Sequence, residues 1–217
     1  PSLRLAAQKT TISTEIEAIN FCGLAVGQQA RYLRFKGYQY ADPESHDNYE
    51  YSGDTLVVEI VAETSNGFLV EEYYTPDSPV TEEPDSWEAL WPDSTLQYYL
   101  QLSNDTIHLS GPDGSYFFSR LFLEREVLPL GLYSESAEII GWKTSLPYSE
   151  SYRDATVAEW DLFGQNYINL RLIVDNSFMA VDGPGYTFVY HPSDGLVRSV
   201  MYSWWTQEGV GHDKLPD

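Results

Sequence analysis

The chain is poor in cysteine, poor in lysine and without any long apolar run, and each scarcity excludes something. Among 217 residues the single cysteine is Cys22, so no internal disulfide can form. No motif around Cys22 supplies a base or a lowered pKa, and it reads as a buried structural thiol. A domain of this size buries about 70 % of its unfolded surface, so a core needs no covalent staple. Lysine occurs only four times, and 33 acidic against 12 basic residues give a formal charge of -21. That field repels a phosphate backbone, whose binding needs Lys and Arg to displace counterions. Nucleic acid is therefore excluded as a partner, as is an anionic membrane surface, and the charge reads as a solvated coat. No run of about 18 apolar residues occurs, so no transmembrane segment of that kind is expected.

The signatures of common chemistry are also missing. Glycines lie singly in turns and make no phosphate loop, and there is no Gly-x-Ser-x-Gly elbow. His46, His108, His191 and His212 are scattered, with no Cys or His cluster at zinc spacing. The acidic stretch 41–53, with Asp42, Glu44, His46, Asp47 and Glu50, lacks the spacing of a calcium loop and reads as solvated. Glu59, Glu63, Glu71 and Glu72 are the densest strand-borne acids, but a glycosidase pair needs a separation of about 5–10 Å that sequence does not supply. No catalytic residue, metal ligand or cofactor is assigned.

What the chain has in abundance is aromatic side chains and period-two alternation. Leu96, Tyr98, Leu100 and Leu102 alternate with Gln97, Tyr99, Gln101 and Ser103. An Asn104-Asp105 turn then pairs Leu102 with Ile107 and Leu100 with Leu109, keeping the apolar set on one side. Asn66-Gly67 predicts a second hairpin over 55–74, with a type I′ turn that sets Ile60 opposite Tyr73. Further strands are expected over 116–123, 138–146, 156–163 and 168–175, with Ile168, Leu170, Leu172 and Val174 on one face. The most strongly marked feature is the hairpin over 186–205. It places Tyr186, Phe188 and Tyr190 on one face, turns at His191-Pro192-Ser193-Asp194-Gly195 and returns to Trp205. Its first strand is expected beside 178–181, and its second beside the first long strand, near Tyr32 and Phe35.

These elements, about ten to twelve strands joined by short reversals, predict an all-β antiparallel meander with little helix. It must roll into a barrel, half-barrel or sandwich to bury its apolar face and manage its edges. Residues 1–217 are expected to form one domain. Residues 1–28 are a poorly defined lead-in, and the Pro- and acid-rich segment 75–92, with Trp87 and Trp91, is placed as a lid-like loop. A curved antiparallel sheet with such a loop resembles lipocalin-like and periplasmic lipoprotein-carrier-like folds. The resemblance is one of architecture alone, so it transfers no site residue.

The aromatic content, 17 Tyr and 6 Trp, suits either a large interior or a recognition surface. The expected function is non-enzymatic and extracytoplasmic: a secreted or periplasmic protein taking a small apolar or amphipathic molecule in a barrel-like cavity. The expected ligand-binding residues are Trp87, Trp91, Tyr98, Trp142, Tyr186, Tyr190, Trp204 and Trp205. An exposed Tyr/Trp platform for a glycan or protein surface is the alternative, and an acid-pair hydrolase is a third. The chain begins at Pro1 without a charged, then apolar, leader, the pattern expected of a processed product.

Overall fold

The computed structural model describes residues 25–38, 48–75, 95–103, 106–112, 119–123, 127–129, 138–140, 152–175, 184–191, 193–203 and 208–216. They contain twelve strands: β1 Gln29–Tyr38, β2 Asn48–Thr64, β3 Gly67–Tyr74, β4 Leu96–Ser103, β5 Thr106–Ser110, β6 Val127–Pro129, β7 Glu138–Ile140, β8 Tyr152–Leu162, β9 Gln165–Asp175, β10 Pro184–His191, β11 Gly195–Ser203 and β12 Glu208–Lys214. All twelve belong to one sheet, in the order β6-β5-β4-β3-β2-β1-β12-β11-β10-β9-β8-β7. Every pairing is antiparallel except that of β7 with β8.

Chain length shows that this sheet is rolled. β6 and β7 are consecutive in sequence yet form opposite edges. From Pro129 to Glu138 the backbone reaches at most about 30 Å. Eleven spacings of about 4.8 Å would hold the edges of a flat sheet about 53 Å apart. Curling satisfies both, and because the described edges do not pair, the sheet is not closed, as in a half-barrel or a sandwich. Both edge strands are three residues long, and β6 ends on Pro129, which has no N–H to offer a neighbour.

Side chains converge on the concave side of a rolled sheet. The larger core cluster accordingly joins Tyr32 of β1, Leu56 of β2, Val70 of β3, Tyr98 of β4 and Ile107 of β5 with Ile173, Phe188 and Met201 of β9 to β11. Across β3 to β5 the opposite side meets solvent, with Gln97, Gln101 and His108 exposed. The second half differs, because its outer side carries a second buried cluster of Leu162, Tyr167, Leu170, Leu172, Val174, Val189 and Val197. The β10 row of Tyr186, Phe188 and Tyr190 lies on the inner face, as its alternation requires.

The β4–β5 register is as expected, with Leu102 opposite Ile107 and Leu100 opposite Leu109. Several other expectations are corrected. In the β2–β3 hairpin Ile60 faces Val70, and Tyr73 faces Val57. The reversal falls on Ser65-Asn66, Gly67 takes φ +106°, and the register shifts between Ile60 and Ala62. Residues 48–53 of the expected polar loop belong to β2. Leu121, Phe122 and Leu123 are buried but lie in a turn, where the Ser119 hydroxyl accepts the Phe122 N–H at 3.0 Å.

The first strand does not receive the 195–203 strand. β12, unforeseen from sequence, lies between β1 and β11 and pairs with both. The neighbours of β10 are β9 and β11, and residues 178–181 fall outside the described set. In β9, Asn169 adopts φ +57°, and Tyr167 in place of Ile168 joins Leu170 in the buried cluster, leaving Ile168 55 % exposed.

Candidate functional site

The inner face carries, besides the buried Arg171 of β9 and Lys214 of β12, a chain of buried polar and charged groups contributed by β1, β2, β3, β11, β12 and the 119–123 turn. Glu72 heads it. Its carboxylate accepts the Tyr98 hydroxyl at 2.7 Å, the Ser119 hydroxyl at 2.9 Å and the Arg120 N–H at 2.8 Å. Burial pushes the Glu72 carboxyl above its usual range, while these donors and the nearby Arg120 charge pull it back. The Arg120 guanidinium donates to the Glu72 carbonyl oxygen at 3.1 Å and lies 5.3 Å over the Tyr74 ring. Burial lowers its own pKa, partly offset by Glu72 and Tyr74.

Tyr74 leads on to His212, its hydroxyl lying 3.0 Å from Nε2 with the two rings stacked. His212 is buried and held neutral. Burial first, and then the positive charges of Arg34 and Arg120, push its pKa down to about 3. Arg34, directly across the β1–β12 ladder from His212, donates to Asp54 at 3.2 Å, and the Ser52 hydroxyl donates to the same carboxylate oxygen at 2.8 Å. On the other side of β12, Ser199 faces His212 across the β11 ladder. Ser199 Oγ and His212 Nδ1 are both buried, and neither has a hydrogen-bond partner among the described residues.

A second ionic group lies on the opposite face of the same strands. Arg198 meets Asp213 through two hydrogen bonds of 2.5 Å, and its guanidinium sits 4.8 Å from both the Phe35 and the Trp160 ring centroids. The Tyr51 hydroxyl donates to Asp213 at 2.8 Å, and burial together with that carboxylate raises its pKa. Every group here is tied to another, which fits an internal brace.

Of the residues expected to bind ligand, Tyr98, Tyr186 and Tyr190 are described, and all three are buried in the larger core cluster. Tyr98 meets Phe122 edge-on, and Tyr186 stacks parallel to Phe188 with centroids 6.3 Å apart. Trp87, Trp91, Trp142, Trp204 and Trp205 lie outside the described residues, as do residues 76–92 of the expected lid. The four acids do not form one site: Glu72 is interior. Glu59 and Glu71 oppose each other across β2 and β3, each bound to a glutamine, Gln29 and Gln97 respectively. Among the exposed large apolar side chains, Tyr51 and Phe163 meet at 5.2 Å with rings inclined by 52°, so they do not present one flat surface.

Sequence reasoning assigned none of Arg34, His212, Ser199 and Arg120 to the ligand site. The one available signal was the alternation of Val210, His212 and Lys214 with Gly209, Gly211 and Asp213, which marks a strand but not an apolar face.

No described group of three or more His, Cys, Asp and Glu residues could hold a metal ion. Within the described residues, no helix is long and apolar enough to cross a membrane. In comparisons with known proteins, the chain matches no family profile and no curated sequence. Among solved structures it aligns with a domain named for outer membrane lipoprotein sorting, from Vibrio parahaemolyticus, at 9 % identity, covering 87 % of this chain and 83 % of that one. The TM-score of that alignment is 0.21, too low to carry an argument about fold or function.

Proposed function

We propose that the protein is a non-enzymatic, extracytoplasmic binding protein that takes an apolar or amphipathic small molecule against the inner face of its rolled sheet. One observation carries this reading: the polar chain from Glu72 through Tyr74 and His212 to Arg34 is embedded in a Tyr- and Leu-rich concave face. A face built only for packing is most stable when it is wholly apolar, since each buried polar group loses its hydration. Ligand sites combine such an apolar wall with a few placed polar groups. Affinity would come from apolar surface leaving water, roughly 25 cal/mol per Å², less the cost of ordering the ligand. Residues 75–92, with Trp87 and Trp91, are assigned to cover the opening, and the whole chain acts as one unit. The glycan-platform reading is less favoured, because the exposed Tyr51 and Phe163 rings are not coplanar.

Titration of the purified chain with a panel of amphiphiles, followed by intrinsic tryptophan fluorescence and calorimetry, tests the assignment. Saturable one-to-one binding of a single-chain amphiphile is expected. Binding to a glycan array together with indifference to every amphiphile would overturn it.

A further inference from the structure

One lateral row of the inner face runs from apolar to cationic across the strands, and that order specifies a ligand. Ile173 of β9 lies opposite Phe188 of β10, Phe188 opposite Ser199 of β11, Ser199 opposite His212 of β12, and His212 opposite Arg34 of β1. These five register partners form one lateral row with steps of about 4.8 Å. All five are buried. The row therefore reads apolar, aromatic, hydroxyl, imidazole, guanidinium. Its third and fourth members carry the atoms without a hydrogen-bond partner among the described residues, Ser199 Oγ and His212 Nδ1.

Resting on the binding function proposed above, we infer that Ser199 and His212 anchor the carboxylate of a long-chain monocarboxylic acid, whose chain runs over Phe188 towards Ile173. When the Tyr74 hydroxyl donates to His212 Nε2, the ring proton sits on Nδ1, so the cross-strand neighbours Ser199 and His212 each hold a buried donor without a partner among the described residues. Two neutral donors side by side suit an acceptor with two oxygens. The positive charges of Arg34 and Arg120 that disfavour an imidazolium at His212 also favour an anion beside it. A neutral alcohol would gain nothing from them, and a quaternary ammonium would be repelled.

Calorimetry with dodecanoate, dodecanol and dodecyltrimethylammonium at neutral pH, on the full chain and on Ser199→Ala, tests this. Dodecanoate should bind at least about tenfold tighter than dodecanol, and Ser199→Ala should weaken dodecanoate by about tenfold while leaving dodecanol nearly unchanged. Ligand-free Ser199→Ala should melt at the same temperature as the parent or higher, because it removes a buried hydroxyl that has no partner among the described residues. Equal affinity for acid and alcohol, or an unchanged affinity of the variant for dodecanoate, overturns the anchor and leaves the binding function standing. A variant that melts several degrees lower also overturns it, since the hydroxyl would then be serving the fold. If none of the three amphiphiles binds, it is the binding function itself that fails.

Discussion

His212 shows how far a single residue's role depends on its surroundings. In the sequence it sits among glycines and acids near the end of the chain, and nothing there predicts burial. In the structure it is the pivot between Tyr74, Arg34 and Ser199. A histidine whose pKa falls from 6.5 to about 3 on folding is neutral in the folded state. Its contribution to stability is full above pH 6.5 and is lost as pH falls towards 3. Between those limits, the step down to about pH 5 should remove about 2 kcal/mol. Urea midpoints at neutral pH and at about pH 5 should therefore converge in His212→Gln relative to the parent. Equal pH sensitivity of the two proteins would refute the burial of a neutral imidazole. Glu72 runs the other way: its raised pKa gives a contribution that is full below the unfolded value of 4.5 and declines as pH rises through the folded value.

Elements were legible where local pattern and register agree. The β4–β5 hairpin could be read residue by residue because its alternation is unbroken on both sides of the turn. The β2–β3 hairpin could not, although Asn66-Gly67 is a strong turn signal. The Thr64 hydroxyl captures the Asn66 N–H at 3.1 Å and donates to the Gly67 carbonyl at 2.9 Å, which places the reversal one residue earlier. The backbone of Gly67 also packs directly on the Leu100 carbonyl of β4, a contact between strands that no local signal encodes. A methyl group there would collide with that carbonyl, in a conformation that L residues rarely adopt. Gly67→Ala should cost at least about 2 kcal/mol, seen as a lowered melting temperature. The backbone geometry expected at Asn66-Gly67 occurs instead at Phe163-Gly164, with φ +53° and +81°, where Phe163 is held against Tyr51. The same limit applies to the candidate site. Tyr98, Tyr186 and Tyr190 could be placed on the inner face because alternation marks it, whereas Arg34, Ser199 and His212 come side by side only through pairing between strands distant in sequence.

At the scale of the whole molecule, the all-β class and the antiparallel order follow from strand spacing and short turns, but the central seam does not. β12 fills the gap between β1 and β11, and Asp213 fastens it there through Arg198 of β11 and Tyr51 of β2. Asp213→Ala would leave Arg198 buried without its carboxylate, and should cost about 3–5 kcal/mol in urea denaturation. A loss below about 1 kcal/mol would show that the seam is held by its backbone ladder alone. The position of this seam also governs how the protein is made. Of the described strands β1 is the first to be synthesised and β12 follows all the others, so the middle of the sheet is completed only after almost all the other pairings. Until then β1 and β11 each present an unpaired edge, at which a second nascent chain competes with the chain's own β12. A strand-exchanged dimer, in which each copy lends its β12 to the other, is the misassembly this topology invites.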